Sequence, residues 1–426
     1  MPIGMNVLSS INAAKLTGLT SGSFENDRSF LVGACASTSL NPLNKESRMN
    51  KFSRRGILGA FASFGLAAVF GMTGCSKPAE APKAAAPTPA AASTKKDFKV
   101  VVSIYAGWMP WYHANETGIL KKWADKYGLN IKVDYMSYPA SLDAFVAGKA
   151  DACVMTNMEA LDMPAAAGID TTVVIVGDYS NGNDAVLTRK GLKLKDIKGQ
   201  NVFLVEKTVS QYMLTRALEI EQTGLTEKDY TIFNVSDEDI APSFLASASQ
   251  NVVVTWNPMV MEIEKTNGVT KIFDSSRIPG EIQDLMVCNT RALNANEDFA
   301  RALNGAWYEV LELMQGHGPD TEAALKVMAD NAKCSVTEFK GQLKTTKMFY
   351  TPAEAIEFTK SDDIKAKNDL VRNFCFTHNL LGEGAPSVDV VGIQYPDGTV
   401  QGDRRNIKLR YTVKFMEEAK NGQLKK

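Results

Sequence analysis

The chain is 426 residues long, 45% hydrophobic and 22% charged, with a formal net charge of −1. That composition is globular, with length enough for two cores. The balanced charge excludes the basic face by which nucleic-acid binders neutralise phosphates. His113, His317 and His378 stand far apart with no carboxylate spaced as a partner ligand, so neither a metal nor a cofactor is expected.

Residues 1–48, rich in Ser, Asn and Leu, precede Met49 and read as an over-extended gene start or an unstructured leader. Lys51, Arg54 and Arg55 then lead into the apolar stretch Gly56–Met72, the basic and apolar regions of a secretion signal over 49–75. The string Met72-Thr73-Gly74-Cys75 resembles a lipobox with Met where Leu is usual, which makes Cys75 the lipidated mature N-terminus. Ser53-Arg54-Arg55-Gly56-Ile57-Leu58 resembles a twin-arginine export motif, with general secretion as the alternative route. A transmembrane anchor is the other reading of the apolar stretch. Its 17 residues only reach the lower limit for crossing about 30 Å of hydrocarbon. The expectation is a lipid anchor on the periplasmic side of the membrane. Residues 76–96 are dominated by Ala and Pro and lack the large apolar side chains that offset ordering entropy, so they read as a tether.

From Asp97 onward, β-branched apolar runs alternate with helical patterns, the signature of βαβ units. Strands are predicted at Lys99–Tyr105, Leu129–Tyr135, Ala152–Thr156, Thr171–Val176 and Asp184–Thr188. Helices are predicted at Trp111–Lys126, Ser141–Ala147 and Asn157–Ala167. The pattern restarts at Leu194–Gly199. Strands follow at Asn201–Val205, Tyr230–Val235 and Asn251–Thr255, with helices at Ser210–Gln222, Asp237–Ala246 and Pro258–Thr266. Leu285–Asn289 reads as a strand crossing back. Helices follow at Phe299–Met314, Thr321–Asn331 and Ser335–Gln342. The tail from Gly382 offers one strand, Ile407–Val413. Cys153 and Cys288 lie inside apolar runs and read as small buried hydrophobes; disulfides among Cys153, Cys288, Cys334 and Cys375 remain open.

The expected fold class is α/β with two lobes, each a mainly parallel sheet flanked by helices. Lobe 1 takes residues 97–188 plus 285–426 and lobe 2 takes 189–284, with a hinge near Thr188 and Asp284. Ligands of such sheets bind beyond the carboxyl ends of the strands, where loops and helix starts offer unpaired N–H groups.

Four stretches carry a resemblance in the right order: GWMPWYHANETGIL, GKADACVMTN, LKDIKGQNVFLVEKTVSQYMLTRAL and VVVTWNPMVMEIE. From Lys99 to about Leu313 the chain resembles the nitrate/sulfonate/taurine-type solute-binding proteins of ABC importers, which include pyrimidine-precursor binders. VTWNPMV and GWMPWY are most similar to the subgroup associated with urea carboxylase genes. The resemblance implies the periplasmic-binding-protein fold (type II) and a guanidine or urea-like solute. It also implies an ABC permease and its ATPase as partners. Nitrate, sulfonate or taurine, or a pyrimidine precursor is the alternative solute. Sulfonate binders cradle their anion at a Gly-Ser or Gly-Thr turn; here the turn reads Glu206-Lys207-Thr208-Val209-Ser210, where a carboxylate repels anions.

The candidate ligand-binding residues follow from position. Trp108 and Trp111, two indoles on one loop, can sandwich a flat cation, with packing under the lobe as the plain alternative. Asp178 and Asp184 stand at strand ends where a carboxylate accepts paired N–H donors, or merely caps a turn. Glu206, Thr208 and Ser210 surround a helix start, where Thr208 or Ser210 is also a natural N-cap. Thr156, Asn157, Trp256 and Asn257 end strands and offer hydrogen bonds or an aromatic wall. No nucleophile elbow, phosphate loop or metal-ligand pair appears, and the cysteine cluster of the pyrimidine synthase sharing this fold is missing. A binding protein is therefore expected rather than an enzyme; a sensor or adhesion lipoprotein using the same trap is the third reading.

Overall fold

The computed structural model describes residues 95–425. The leader, the signal stretch with Cys75 and the tether up to residue 94 lie outside the described residues. Among those described, no helix is long and apolar enough to cross a membrane.

The chain first lays down β1 (Lys96–Val102), β2 (Leu129–Tyr135), β3 (Ala152–Thr156) and β4 (Thr171–Ser180). It then forms β5 (Ala185–Arg189), β6 (Asn201–Leu204), β7 (Thr231–Asn234), β8 (Val252–Thr255) and β9 (Val269–Asp274). β10 (Gln283–Asn289) returns, followed by β11 (Thr346–Met348), β12 (Gly392–Gln394), β13 (Val400–Gln401) and β14 (Ile407–Tyr411). Two sheets result. The first runs β13-β12-β14-β4-β10-β3-β1-β2 with β11 on β4, and the second runs β7-β6-β8-β5-β9.

Each sheet has a parallel core made by βαβ crossovers: β2, β1 and β3 in the first, β7, β6 and β8 in the second. The strands that run antiparallel beside these cores, β10 and β5, are those next to the crossings between sheets. β1 and β2 pair without a slip from Lys96↔Leu129 to Val102↔Tyr135. The Thr171–Val176 run is buried throughout because β4 is covered on both faces, which its unbroken apolar sequence requires.

Residues 181–184 carry the chain to the second sheet and residues 275–282 carry it back. The sequence groups Asp184–Thr188 with the first lobe, whereas β5 pairs with β8 and β9 in the second sheet. A five-residue apolar strand carries no mark of which sheet it completes; only its ladder partners decide.

The predicted helix Trp111–Lys126 is two, α1 (Met109–Glu116) and α2 (Ile119–Lys126), parted where Gly118 takes a left-handed φ of 77°. α3 (Tyr138–Val146), α4 (Asn157–Ala160), α5 (Val209–Ile220), α6 (Asp237–Ala246) and α7 (Met259–Glu264) follow. The helices Pro352–Lys360 and Asp362–Thr377, and strand β9, were not legible in the sequence. The tail is part of the first sheet rather than an appendage, since β14 pairs with β4 through Leu409↔Thr171. Cys153, Cys288, Cys334 and Cys375 are free thiols, and burial pushes that of Cys153 up to about 12.

A tight contact braces the outer helices of the first sheet. Trp123 lies against Gly305, where a Cβ would stand 2.4 Å from the indole, and its Nε1 donates to Glu309 at 2.7 Å. Gly305→Ala is expected to destabilise the fold by about 1–3 kcal/mol, read as a lowered thermal midpoint.

Candidate functional site

Strand register assembles the site from three neighbouring strands. Asp284 of β10 lies directly opposite Asp178 of β4 on one side and Thr156 of β3 on the other. Paired residues share a face, so the three form one row near the carboxyl ends of β3 and β4. Tyr105, just beyond the end of β1, donates from its hydroxyl to Asp178 Oδ1 at 3.1 Å. Gly107 presses its backbone onto this group; a Cβ there would stand 2.6 Å from Asp178 Oδ2.

Opposite this row, the second sheet contributes Asp184 ahead of β5, Val209 at the start of α5 and Trp256 after β8. Tyr105, Trp108, Tyr138, Thr156, Asp184, Val209, Trp256, Ile282 and Asp284 enclose a cavity of about 20 Å³, measured as the space open to the centre of a water molecule. All nine are buried. The rings meet at angles, with Trp108 5.6 Å and Trp256 5.8 Å from Tyr138. None of the nine is Lys, Arg or His.

Hydrogen bonds join the two sides around the cavity. Trp256 Nε1 donates to the Ile104 carbonyl at 3.1 Å, and Val209 N–H donates to Glu159 Oε1 at 2.9 Å. Tyr138 N–H, at the open start of α3, donates to both oxygens of Asp237 at 3.0 and 3.1 Å. Outside the Trp256–Ile104 bond lies a larger cleft of about 600 Å³, lined by Tyr112, Tyr135 and Met136 against Asp237 and Met259. The two crossings are also tied to each other. Ser180 Oγ donates to Asp184 Oδ2 at 2.5 Å and lies 2.6 Å from Ser275 Oγ, which accepts from Gly182 N–H at 2.7 Å.

The electrostatics follow from burying acids without bases. Burial pushes Asp178 and Asp184 each up to about 7. Asp284 is held further in its neutral form by burial, by the Asp178 charge and by sharing a hydrogen bond with it. Asp178 Oδ2, Asp284 Oδ2 and Trp108 Nε1 are buried without another partner. Glu159 is also raised, by burial, although Tyr138, Thr156 and Val209 all donate to it. Among the described residues no three His, Cys or acidic side chains are grouped to hold a metal ion.

Of the residues named from sequence, Trp108, Thr156, Asp184 and Trp256 wall the cavity, and Asp178 meets that wall through Tyr105 and its strand partner Asp284. Trp111 does not reach it; its indole stacks on Trp307 at 5.0 Å. Asn157 bonds Glu281, Gln283 and Asn368, and Asn257 bonds Asn183, Thr345 and Met261, both as frame. Thr208 caps α5 through Ser210 N–H, and Ser210 Oγ is buried beside it without a partner. Glu206 is exposed, because Lys207 turns the backbone with a left-handed φ of 60° and only the Glu206 N–H is held, by Asn234. Tyr105, Tyr138, Glu159 and Asp284 were missed. An acid opening the apolar run LMVC was the available signal for Asp284.

Two solved structures share this fold. One is the alkanesulfonate-binding protein of Xanthomonas axonopodis pv. citri, bound to MOPS. It has 14% identity and a TM-score of 0.56, and the match covers 68% of this chain and 96% of that one. The other is the periplasmic aliphatic sulphonate-binding protein of Escherichia coli, with 16% identity, a TM-score of 0.55 and coverage of 68% and 94%. The chain has the periplasmic-binding-protein fold. In that fold the cavity lies where the two sheets face each other. The NMT1/THI5 like family model matches residues 128–319, from the start of β2 through all of the second sheet. No curated protein matches the sequence.

Gly107→Ala is expected to displace Asp178 and Tyr105 and to weaken ligand capture at least tenfold, measured by calorimetry. The raised acids also fix a pH trend. Their folded values lie above the unfolded value of about 4, so their contribution is full below that pH and is lost as pH rises through about 7. The ligand-free protein is expected to melt at lower temperature as pH climbs from 5 to 8, and Asp184→Asn to flatten that slope.

Proposed function

We propose that this protein is the solute-binding component of an ABC importer, closing around a small nitrogen compound, guanidine or urea, and delivering it to a permease and its ATPase. The sheets with their helices are the lobes, and the paired segments 181–184 and 275–282 are the hinge. In this reading Cys75 carries the lipid anchor that keeps the protein outside the membrane.

The observation that carries the reading is the cavity. Its space is little more than one ordered water needs, which favours the smallest solutes; urea, guanidinium and nitrate are all smaller than taurine. Two indoles and two phenols offer flat faces and two acids reach its wall, which suits N–H donors. An anion is disfavoured on two grounds. No basic side chain lines the cavity. The amide at the start of α5, where an anion would gain most from the helix end, is taken by Glu159.

Titration of guanidinium chloride, urea, nitrate and taurine into the protein tests the reading. Saturable binding of guanidinium or urea is expected. Asp184→Asn should weaken it at least tenfold, and the exposed Glu206→Gln should leave it unchanged. Binding of nitrate or taurine while guanidine and urea both fail would overturn the solute assignment.

A further inference from the structure

The two aspartates that β4 and β10 set opposite each other pose a problem of charge. Asp178 and Asp284 are direct cross-strand partners, both buried, and each keeps one oxygen without a partner. Two carboxylates set side by side away from water cannot both ionise, so the pair holds at least one proton in the ligand-free protein. Among the described residues no base is among the groups that shift the pair. Tyr105 follows β1, Tyr138 begins α3, Glu159 lies in α4, Asp184 precedes β5 and Tyr350 follows β11; all are acids or phenols.

We propose that the site takes a monovalent planar cation in exchange for the proton held between Asp178 and Asp284, making Asp284 the residue that selects for ligand charge. The inference rests on the solute-binding reading and narrows it from guanidine or urea to guanidinium. The exchange balances. The shared O–H···O gives its proton to solvent, and N–H donors of the cation take up the freed oxygens. Total charge inside the cavity is unchanged, so closure adds no net charge to a space walled by rings. A neutral urea has a carbonyl to satisfy instead. It would use Trp108 Nε1 and leave the proton in place.

The support from titration behaviour runs in the same direction. Asp178 is pushed up to about 7 and Asp284 is raised well above the ordinary carboxylate range, so the pair keeps at least one proton in the ligand-free protein near neutrality. The arrangement was invisible in sequence, since 106 positions separate the two residues (284 − 178).

The test is calorimetry of guanidinium chloride and of urea on the full chain at pH 6, 7 and 8, each in two buffers of different ionisation enthalpy. Guanidinium is expected to release protons at pH 6, and its apparent Kd to rise roughly tenfold per pH unit below the point where the pair ionises. Asp284→Asn should lower the release by about one proton, whereas Glu206→Gln, on an exposed side chain, should leave it intact. A melting curve checks that the variants fold. If Asp284→Asn does not, Tyr105→Phe serves instead; losing the donor to Asp178 should move the pH dependence upward. Guanidinium binding with no proton release, or unchanged release in Asp284→Asn, overturns the proposal. Urea binding without guanidinium overturns it while the solute-binding reading stands. If neither binds, both fall.

Discussion

The constraint on which the structure turns is a row of buried acids without a buried base. Moving a carboxylate out of water costs several kcal/mol unless a partner or a proton offsets it. Asp178 and Asp284 sit side by side in the first sheet, and Asp184 faces the same cavity from the second. A globular core would not gather such groups for stability alone, since apolar residues of equal volume serve better. They are consistent with a site completed by something the chain itself does not supply.

The hydrogen bonds around the cavity show how its walls are held. The starts of α3 and α5 have N–H groups with no partner inside their own helices. Each is capped by an acid from the opposite side, Asp237 for Tyr138 and Glu159 for Val209. Separating the sheets would return these amides and acids to water, where they are solvated again, so the net cost of opening is modest. The Trp256 bond to the Ile104 carbonyl, in turn, lies between the inner cavity and the outer cleft. Asp184 joins both roles, because it walls the cavity and is held by Ser180 within the paired crossings. A change in its charge is thus felt where the chain crosses between the sheets.

The strands were largely legible from sequence. Ala152–Thr156 carries the continuous run that a covered strand needs, Leu129–Tyr135 the alternation of an edge strand, and both form as read. Helix boundaries were less so: Gly118 divides what periodicity presents as one helix. At the site, Trp108, Asp178, Asp184 and Trp256 could be found because polar or aromatic groups ending buried strands point to the edge where ligands gather. Trp111 carried the same local signal and went to the Trp307 stack instead.

Local sequence determined the alternating elements, the apolar runs too continuous for an exposed sheet and the strand-end residues, because these depend on neighbours within a few positions. The tertiary structure alone decided that β5 belongs to the second sheet. It alone set Asp284 against Asp178. The physical reason is register. Which side chains share a face and a charge is fixed by hydrogen bonds between strands far apart in the chain, and no local pattern records them.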